Sequence, residues 1–407
     1  MLKIELEKAI ELITESIKEI ERFEEIKLID AGGRIIYEDI YAPMNNPPFD
    51  RSPLDGYALI AEDTKGASKE NIKKLTVVDC IFAGGYSEKT LKRGQAARIM
   101  TGAKIPKGAN CVIKQEKTDY GEDEVEIYQE LNKYDNYCFK GEDIKKGDLL
   151  VKKDELINYV HQGVLASMGI SKVKVKAKPR IVLIVTGDEV RAPGQTLKEG
   201  KIYDSNLHLI YSRLNEFGLP PVISQIIEDN GEKVGEKIQE IVDEVDLIIT
   251  TGGVSVGEKD ILHDAFKLIG AERIFWKVNL KPGTPVMYSL YKNKPIISLS
   301  GNPFAALINF ELLVRPALSK ISGNKNLQYK RASAIMKNEF NKPSMTRRFI
   351  RAYFNNGKVS FIQNSKEKLE ILEVAAILHD IGIKESERKY SSSAAKYQGN
   401  GRTSCSI

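Results

Sequence analysis

Residues 181–189 read Ile181-Val182-Leu183-Ile184-Val185-Thr186-Gly187-Asp188-Glu189. The continuous apolar run over 181–186 has the character of a strand buried on both faces, and a Gly and two acids follow it directly. Working toward the C-terminus, Asp204-Ser205-Asn206 offers N-caps for a helix that stops at Gly218. A strand is expected over 222–227, a helix over 232–245 and a second buried strand over 247–251. A helix over 260–269 ends at Gly270. Two strands follow around 274–278 and 285–291, with Lys292-Asn293 at the turn after them. A last buried strand over 296–299 leads into a last helix over 302–319. Strands and helices alternating at this length predict a doubly wound α/β domain over 179–325.

Working toward the N-terminus, the pattern changes. Ile4, Ala9, Ile10, Leu12, Ile13, Ile17 and Ile20 recur at helical spacing, which predicts one amphipathic helix over roughly 3–22. Gly32-Gly33 breaks the chain after it. Residues 44–145 are short, irregular and rich in β-prone runs and turn residues, the pattern of a small β-rich domain. The segment 146–178 mixes a short helix, 157–168, with a strand, 172–176. Packed back on 1–43, it would complete a discontinuous α+β domain. Beyond 325 a β-rich segment, 326–364, precedes a polar tail, 365–407. The fold class is therefore α/β multidomain, with the doubly wound domain at its centre. No internal repeat of 20 to 50 residues is present.

Composition excludes several classes of function. The 407 residues carry 61 Lys plus Arg against 56 Asp plus Glu, a net charge of only +5. So balanced a surface predicts neither nucleic-acid nor membrane binding, although a local anion site remains compatible with it. No apolar run is long enough to span a bilayer, and the acidic, amphipathic start of the chain lacks a signal-peptide core. Cys80, Cys111, Cys138 and Cys405 form no CxxC pair, so a zinc or redox motif is not expected. Scattered cysteines of this kind predict a cytoplasmic protein. His161, His208, His263 and His379 are not spaced for a metal site or a catalytic triad, and no serine nucleophile elbow is present.

Four groups of loops carry candidate chemistry. In Asp50-Arg51-Ser52-Pro53-Leu54-Asp55-Gly56, Asp55 is either a metal ligand or polar contact on a rigid loop or half of an ordinary Asp-Gly turn. In Arg98-Ile99-Met100-Thr101-Gly102-Ala103, the Thr101 hydroxyl and nearby N–H groups suit an oxyanion, and a strand-end turn explains them equally. Asp188 and Glu189 lie where ligands of α/β sheets bind, beyond the carboxyl end of a strand, and two acids there suit a hard cation such as Mg²⁺. The fourth group pairs Gly252-Gly253-Val254-Ser255 with Ser300-Gly301-Asn302-Pro303. Both follow buried strands, and the second opens a helix, so glycine and free N–H groups favour phosphate. Asp260, Lys277 and Lys281 lie on neighbouring segments. The two lysines either hold an anion as point charges or are solvated.

Taken together, these loops resemble the molybdopterin molybdenumtransferase family, whose module also forms the E-domain of gephyrin. Seven motifs match in order between about residue 5 and about residue 363. The resemblance implies a homodimer with four subdomains per chain and a shared active-site cleft. It implies a Mg²⁺-dependent reaction of adenylylated molybdopterin with molybdate, which yields molybdenum cofactor and AMP. Carried over residue by residue, Asp55, Thr101, Asp143, Glu189, Asp229 and Asp260 match functional polar positions, and Lys277, Lys281 and Pro303 match the anion-site region. Asp188, Glu189 and Asp260 are the expected Mg²⁺ neighbourhood. Gly252, Gly253, Ser255, Ser300, Gly301 and Asn302 would touch the pterin or its phosphates, and Asp55 would arrive from the partner subunit. The molybdopterin adenylyltransferase that acts one step earlier is an implied partner.

Two departures stand out. The family's Pro-Gly-Asn-Pro reads Ser300-Gly301-Asn302-Pro303 here, and its C-terminal β subdomain is expected to be truncated after 364. In its place, 372–382 resembles part of an HD-domain phosphohydrolase, around His379 and Asp380. Three rival readings follow: a non-catalytic scaffold or cofactor-binding protein of the same fold, an HD hydrolase fragment, and the adenylyltransferase itself. Against the last stand the 178 residues that precede the α/β domain.

Overall fold

A computed structural model describes residues 2–254, 261–329, 331–336, 346–355, 358–361, 376–378 and 403–406. The chain divides into two compact units, one of residues 1–24 with 176–407 and one of residues 25–175. The fold is α/β multidomain, as the alternation of elements predicts.

The first unit is built on a seven-stranded sheet in the order Leu2–Ile4, Glu272–Val278, Met287–Tyr291, Lys294–Leu299, Leu247–Thr251, Ile181–Thr186, Ile223–Ile227. Ile181–Thr186 lies between two parallel neighbours, Ile223–Ile227 and Leu247–Thr251. All of its residues are buried, which is why its sequence is apolar without alternation. Lys294–Leu299 pairs parallel with Leu247–Thr251. Met287–Tyr291 pairs antiparallel with both Glu272–Val278 and Lys294–Leu299, so the sheet is mixed. Lys292 and Asn293 both take positive φ (48° and 62°), as a two-residue hairpin turn demands. Helices cover both faces. Ile210 and Leu214 from Asn206–Glu216 share a core with Ile181, Leu183 and Ile249. On the other face, Val234 and Ile238 from Gly231–Ile241 and Leu262 and Phe266 from Ile261–Ile269 pack on Val182, Ile184 and Ile248.

The amphipathic N-terminal segment differs from expectation in two respects. Leu2–Ile4 is a strand that pairs parallel with Trp276 and Val278, and the helix runs only over Leu6–Ser16. Ile17 and Ile20 keep helical spacing but bury themselves from the irregular chain beyond the helix. Their partners, with Leu6, Ala9 and Ile13, are in the α/β core beside Phe275, Tyr288 and Leu318. Burial of those apolar side chains decides where the segment packs, and periodicity alone does not reveal which core receives it. Arg22 ties the end of the segment down by a two-pronged contact to Asp246 (3.1 and 2.6 Å).

The expected helix over 302–319 is also more elaborate. Pro303–Asn309 is α-helical, Phe310–Val314 is a π-helical turn, and Arg315–Ser322 is α-helical again. Such a turn accommodates an extra residue within a helix, and sequence periodicity does not flag it.

The second unit, residues 25–175, holds a five-stranded sheet ordered Cys111–Lys114, Gly56–Leu59, Gln95–Ile99, Lys73–Ile81, Glu124–Ile127. Around 25–43 and 146–175 a separate small core gathers Leu28, Ala31, Ile36, Val151, Ile157, Leu165 and Val175. At the C-terminal end of the first unit, Ile350–Asn355, Lys358–Phe361 and Arg331–Met336 form a further sheet, joined at its edges by Ala376–Leu378 and Thr403–Ser406. The HD-like reading of 372–382 finds no support. Its described residues pair as a strand with Ile350–Asn355, while His379 and Asp380 lie outside the described residues. Among the described residues no group of three or more His, Cys, Asp or Glu side chains is placed to hold a metal, as an HD site requires. Also among them, no helix is long and apolar enough to cross a membrane.

Candidate active site

A cavity of about 370 Å³ opens beyond the carboxyl ends of Ile181–Thr186, Leu247–Thr251 and Lys294–Leu299. This is the crevice that strand-order reversal creates in α/β sheets. Of the residues expected from sequence, Glu189, Asp229, Gly252, Gly253, Ser300, Gly301, Asn302 and Pro303 line it. Asp188, Lys277 and Lys281 belong to the same unit and lie outside the lining. Ser255 and Asp260 lie outside the described residues.

The acidic side is built by reciprocal clasps. The Asp188 N–H donates to Asp229 Oδ2 (3.3 Å), and the Asp229 N–H donates to Asp188 Oδ1 (3.1 Å). The two strand ends are thereby fixed to one another. Arg191 Nη1 and Lys201 Nζ both donate to the Asp188 carbonyl (3.0 and 3.2 Å), bringing two cations to a site that sequence reading passed over. Glu189 is set by its own backbone, since the Ile202 N–H donates to its carbonyl (2.9 Å). Of the Mg²⁺ neighbourhood expected at Asp188, Glu189 and Asp260, Glu189 lines the cavity, Asp188 lies outside the lining, and Asp260 lies outside the described residues. Glu189 and Asp229 line the cavity, while the Asp188 and Asp229 carboxylates each accept one hydrogen bond of the clasp. Two carboxylates with substrate phosphate oxygens are a chemically suitable donor set for Mg²⁺, which seldom relies on an all-protein cage.

The opposite wall is backbone. Gly252 takes φ +94°, and a Cβ there would stand 2.2 Å from the Thr186 carbonyl oxygen and 2.7 Å from Thr186 Oγ1. Only glycine lets the Gly252-Gly253 loop cross so close to the neighbouring strand end. Asn302 caps the helix that begins at Pro303 by accepting from the Ala305 N–H (3.1 Å), and Asn302 and Pro303 bring the start of that helix to the cavity. In the position of the expected proline, Ser300 Oγ accepts from the Asn302 N–H (3.4 Å).

Asn206 joins the two loops, and sequence reading missed it. Read as a helix cap, it is instead buried, and its Nδ2 donates to Thr251 Oγ1 (2.9 Å) and to the Gly301 carbonyl (2.8 Å). Ser205 holds the N-cap position without a side-chain bond, and the Asp204 carboxylate just before it accepts from the Leu207 N–H (3.0 Å). Burial pushes the Asp204 carboxyl above its usual range despite that hydrogen bond. The Asp-Ser-Asn run shows the right residue types, but which of them turns inward depends on the helix start.

Lys277 and Lys281 are placed by different means. Lys277 holds φ 69°, rare for a residue with a Cβ, and its Nζ sits 3.9 Å from the centre of the Trp276 ring. Lys281 is exposed, on a two-residue strand paired with Arg347–Arg348.

In the 25–175 unit, the structure brings Asp55 and Thr101 together. Asp55 Oδ1 accepts from both the Thr101 N–H and the Thr101 hydroxyl, each at 2.7 Å. The Thr101 backbone N–H, then its hydroxyl, hold the Asp55 carboxyl below the ordinary carboxylate range. Gly56 is no turn residue. It opens a central strand, where a Cβ would meet the Ile113 carbonyl oxygen at 1.8 Å. Asp50, five residues earlier, is structural: it accepts from the Tyr137 hydroxyl (2.7 Å) and the Lys140 N–H (2.8 Å). Asp143 lies 3.9 Å from Arg51 Nη2.

Known proteins place this architecture. Residues 4–169 match the family model described as MoeA N-terminal region (domain I and II), and residues 182–320 match that of a probable molybdopterin binding domain. The molybdopterin molybdenumtransferase of Staphylococcus epidermidis is 40% identical over 327 residues, 80% of this chain and 78% of that protein. The enzyme of the same name from Staphylococcus aureus strain COL is 38% identical over 318 residues, 78% of this chain and 76% of its own length. The crystal structure of the molybdopterin biosynthesis moea protein from Pyrococcus horikosii superposes with a TM-score of 0.81 at 32% identity, covering 94% of this chain and 95% of that one. Neither family model reaches the 372–382 segment. With the crevice at the switch of strand order and this coverage by named relatives, the chain belongs to the molybdopterin molybdenumtransferase family.

Proposed function

We propose that this chain inserts molybdate into adenylylated molybdopterin and releases AMP, as a Mg²⁺-dependent step of molybdenum cofactor biosynthesis. One observation carries the reading: a single cavity is lined both by the acids Glu189 and Asp229 and by glycine backbone with the start of a helix. A phosphorylated ligand needs the second wall, and a cation that neutralises its phosphates needs the first.

The stoichiometry is simple. Two dithiolene sulfurs replace one oxo group of molybdate, whose oxygen leaves with the two thiol protons as water. Hydrolysis of the phosphoanhydride consumes one water and frees AMP. No covalent enzyme intermediate is needed. Mg²⁺, when bound, supplies positive charge to the phosphate oxygens as the leaving group develops. Glu189 and Asp229 are the residues that would hold it. The Gly252–Gly253 and Gly301–Asn302 segments orient the pterin phosphates by close backbone approach, and Asn206 keeps both segments at fixed separation. Asp55, held ionised by Thr101, acts as an acceptor for the substrate. We place it in the cleft of a homodimer, reaching over from the partner subunit, and the adenylyltransferase of the preceding step is the partner that delivers substrate.

Incubation with adenylylated molybdopterin, molybdate and Mg²⁺, followed by chromatography of AMP, tests this reading. Turnover by the wild type and marked loss in Glu189→Ala and Asp55→Ala, with unfolding midpoints retained, are expected. Wild-type rates in both variants would refute the site. Tight pterin binding without any AMP would favour the scaffold reading.

A further inference from the structure

We propose that Trp276 is a positioning residue that holds the Lys277 ammonium and the Val254 end of the cavity wall in register for a tetrahedral oxyanion. The inference rests on the function proposed above and assigns a residue that it leaves unused. Trp276 lies in Glu272–Val278, one residue before Lys277. Its indole Nε1 donates to the Val254 carbonyl (3.2 Å), and Val254 lines the cavity directly after Gly252 and Gly253. Its ring face carries the Lys277 Nζ at 3.9 Å from the centroid. One planar side chain therefore touches both the loop that walls the cavity and one of the two lysines expected to serve it.

The ring is itself braced. His263 packs edge-on against it (4.6 Å between centroids), and Arg273, whose Nη1 lies 2.9 Å from His263 Nδ1, stands over it at 5.9 Å. The Lys277 backbone is fixed as well: its N–H donates to the Val286 carbonyl (2.9 Å), and its φ is 69°. A lysine tethered only by four methylenes samples many rotamers, and ordering it opposes ligand binding. Docking the ammonium on an aromatic face reduces that cost in advance. A carboxylate would do so too, but it would neutralise the charge. A ring leaves the three ammonium N–H groups and the full charge available to an anion. The chemical class of ligand is a tetrahedral dianion, molybdate in the proposed reaction.

The ring face and the N–H can be separated. Trp276→Phe keeps an aromatic face and loses the donor, whereas Trp276→Leu loses both. In the AMP-release assay, Trp276→Leu is expected to raise the KM for molybdate by about three- to thirty-fold, the span of a cation–π contact, with a smaller change in kcat. Trp276→Phe should stay within about threefold of wild type for molybdate, because the face remains. Both variants should raise the KM for the adenylylated pterin, since both free the Val254 carbonyl.

A second measurement needs neither turnover nor a substituted tryptophan. Trp276 is the single tryptophan of the chain, so its emission reports on its own surroundings. Titrating the wild-type protein with sodium molybdate at constant ionic strength should change that emission, and Lys277→Ala should abolish the change. A molybdate KM in Trp276→Leu equal to wild type, or one no higher than in Trp276→Phe, overturns the proposal, as does unchanged emission at saturating molybdate. If the wild type releases no AMP, the proposed reaction fails, and the emission titration alone decides the role of Trp276.

Discussion

Substituting Gly252 with alanine tests whether the cavity wall depends on close backbone approach. The added Cβ would stand 2.2 Å from the Thr186 carbonyl oxygen. Relief to ordinary contact requires the loop and the strand end to part by about 1 Å, and overpacking of this kind costs about 1–3 kcal/mol. The φ of +94° adds a backbone term of about 1–2 kcal/mol for any residue with a Cβ. The sum, about 2–5 kcal/mol, is a large share of the ~5–15 kcal/mol that stabilises a typical fold. Gly301 is the internal control. A Cβ there meets nothing nearer than the Gly252 Cα at 3.6 Å, so Gly301→Ala should leave stability within about 0.5 kcal/mol of wild type while adding a methyl group at the cavity lining. The assay is the urea midpoint of both variants, paired with AMP release. Adding Thr186→Ala should not rescue Gly252→Ala, since the nearest obstacle is main chain. A Gly252→Ala midpoint within about 0.5 kcal/mol of wild type, or full rescue by Thr186→Ala, would refute the reasoning.

Three further outcomes follow from the same geometry. Thr101→Val removes one of the two donors to Asp55, so the Asp55 carboxyl should titrate nearer its ordinary range and the acid limb of kcat/KM should move to higher pH; an unmoved limb and an unmoved carboxyl resonance would contradict this. For Asp246, burial alone would raise the carboxyl, but the Arg22 guanidinium and the Arg180 N–H outweigh it and the net shift is downward. A depressed folded value means that the contribution is complete above the unfolded value of about 4 and is lost as pH falls through the folded one. Asp246→Asn should therefore cost about 1–3 kcal/mol at pH 7, with the deficit shrinking below about pH 4; a constant deficit from pH 7 to pH 3 in urea titrations would argue against it. Lys277→Gly and Lys277→Ala should both impair transfer, yet the glycine variant should be about 1 kcal/mol the more stable, because only glycine escapes the cost of positive φ. Equal melting temperatures for the two would contradict that assignment.

The α/β half of the molecule was legible because its determinants are local. A doubly buried strand such as Ile181–Thr186 has no polar face to interrupt it, and Gly252 with Asn302 marks the loops that follow two such strands. What stayed hidden depends on three-dimensional packing. Leu2–Ile4 becomes a strand because Glu272–Val278 offers it an edge, and no three-residue run declares that. Ile17 and Ile20 keep helical spacing while lying beyond the helix, since burial against Leu318 and its neighbours matters more than period. At the site, residue types were readable and roles were not. Asp188 and Asp229 exchange hydrogen bonds across 41 positions of sequence, a clasp that no local pattern announces. Asn206 looks like a cap in a row with Asp204 and Ser205, and only the helix start shows that its amide joins Thr251 to Gly301. Trp276 gave no signal of its own, because a tryptophan beside a lysine becomes a platform only when the strand twists the ammonium over the ring.

The most direct test of the central claim is a single-turnover experiment on the wild-type protein, counting AMP released and molybdenum retained on the pterin. One AMP is expected for each molybdenum transferred, with AMP release dependent on molybdate and both products lost together in Glu189→Ala. AMP release at the same rate without molybdate, or molybdenum transfer that survives Glu189→Ala, would contradict it.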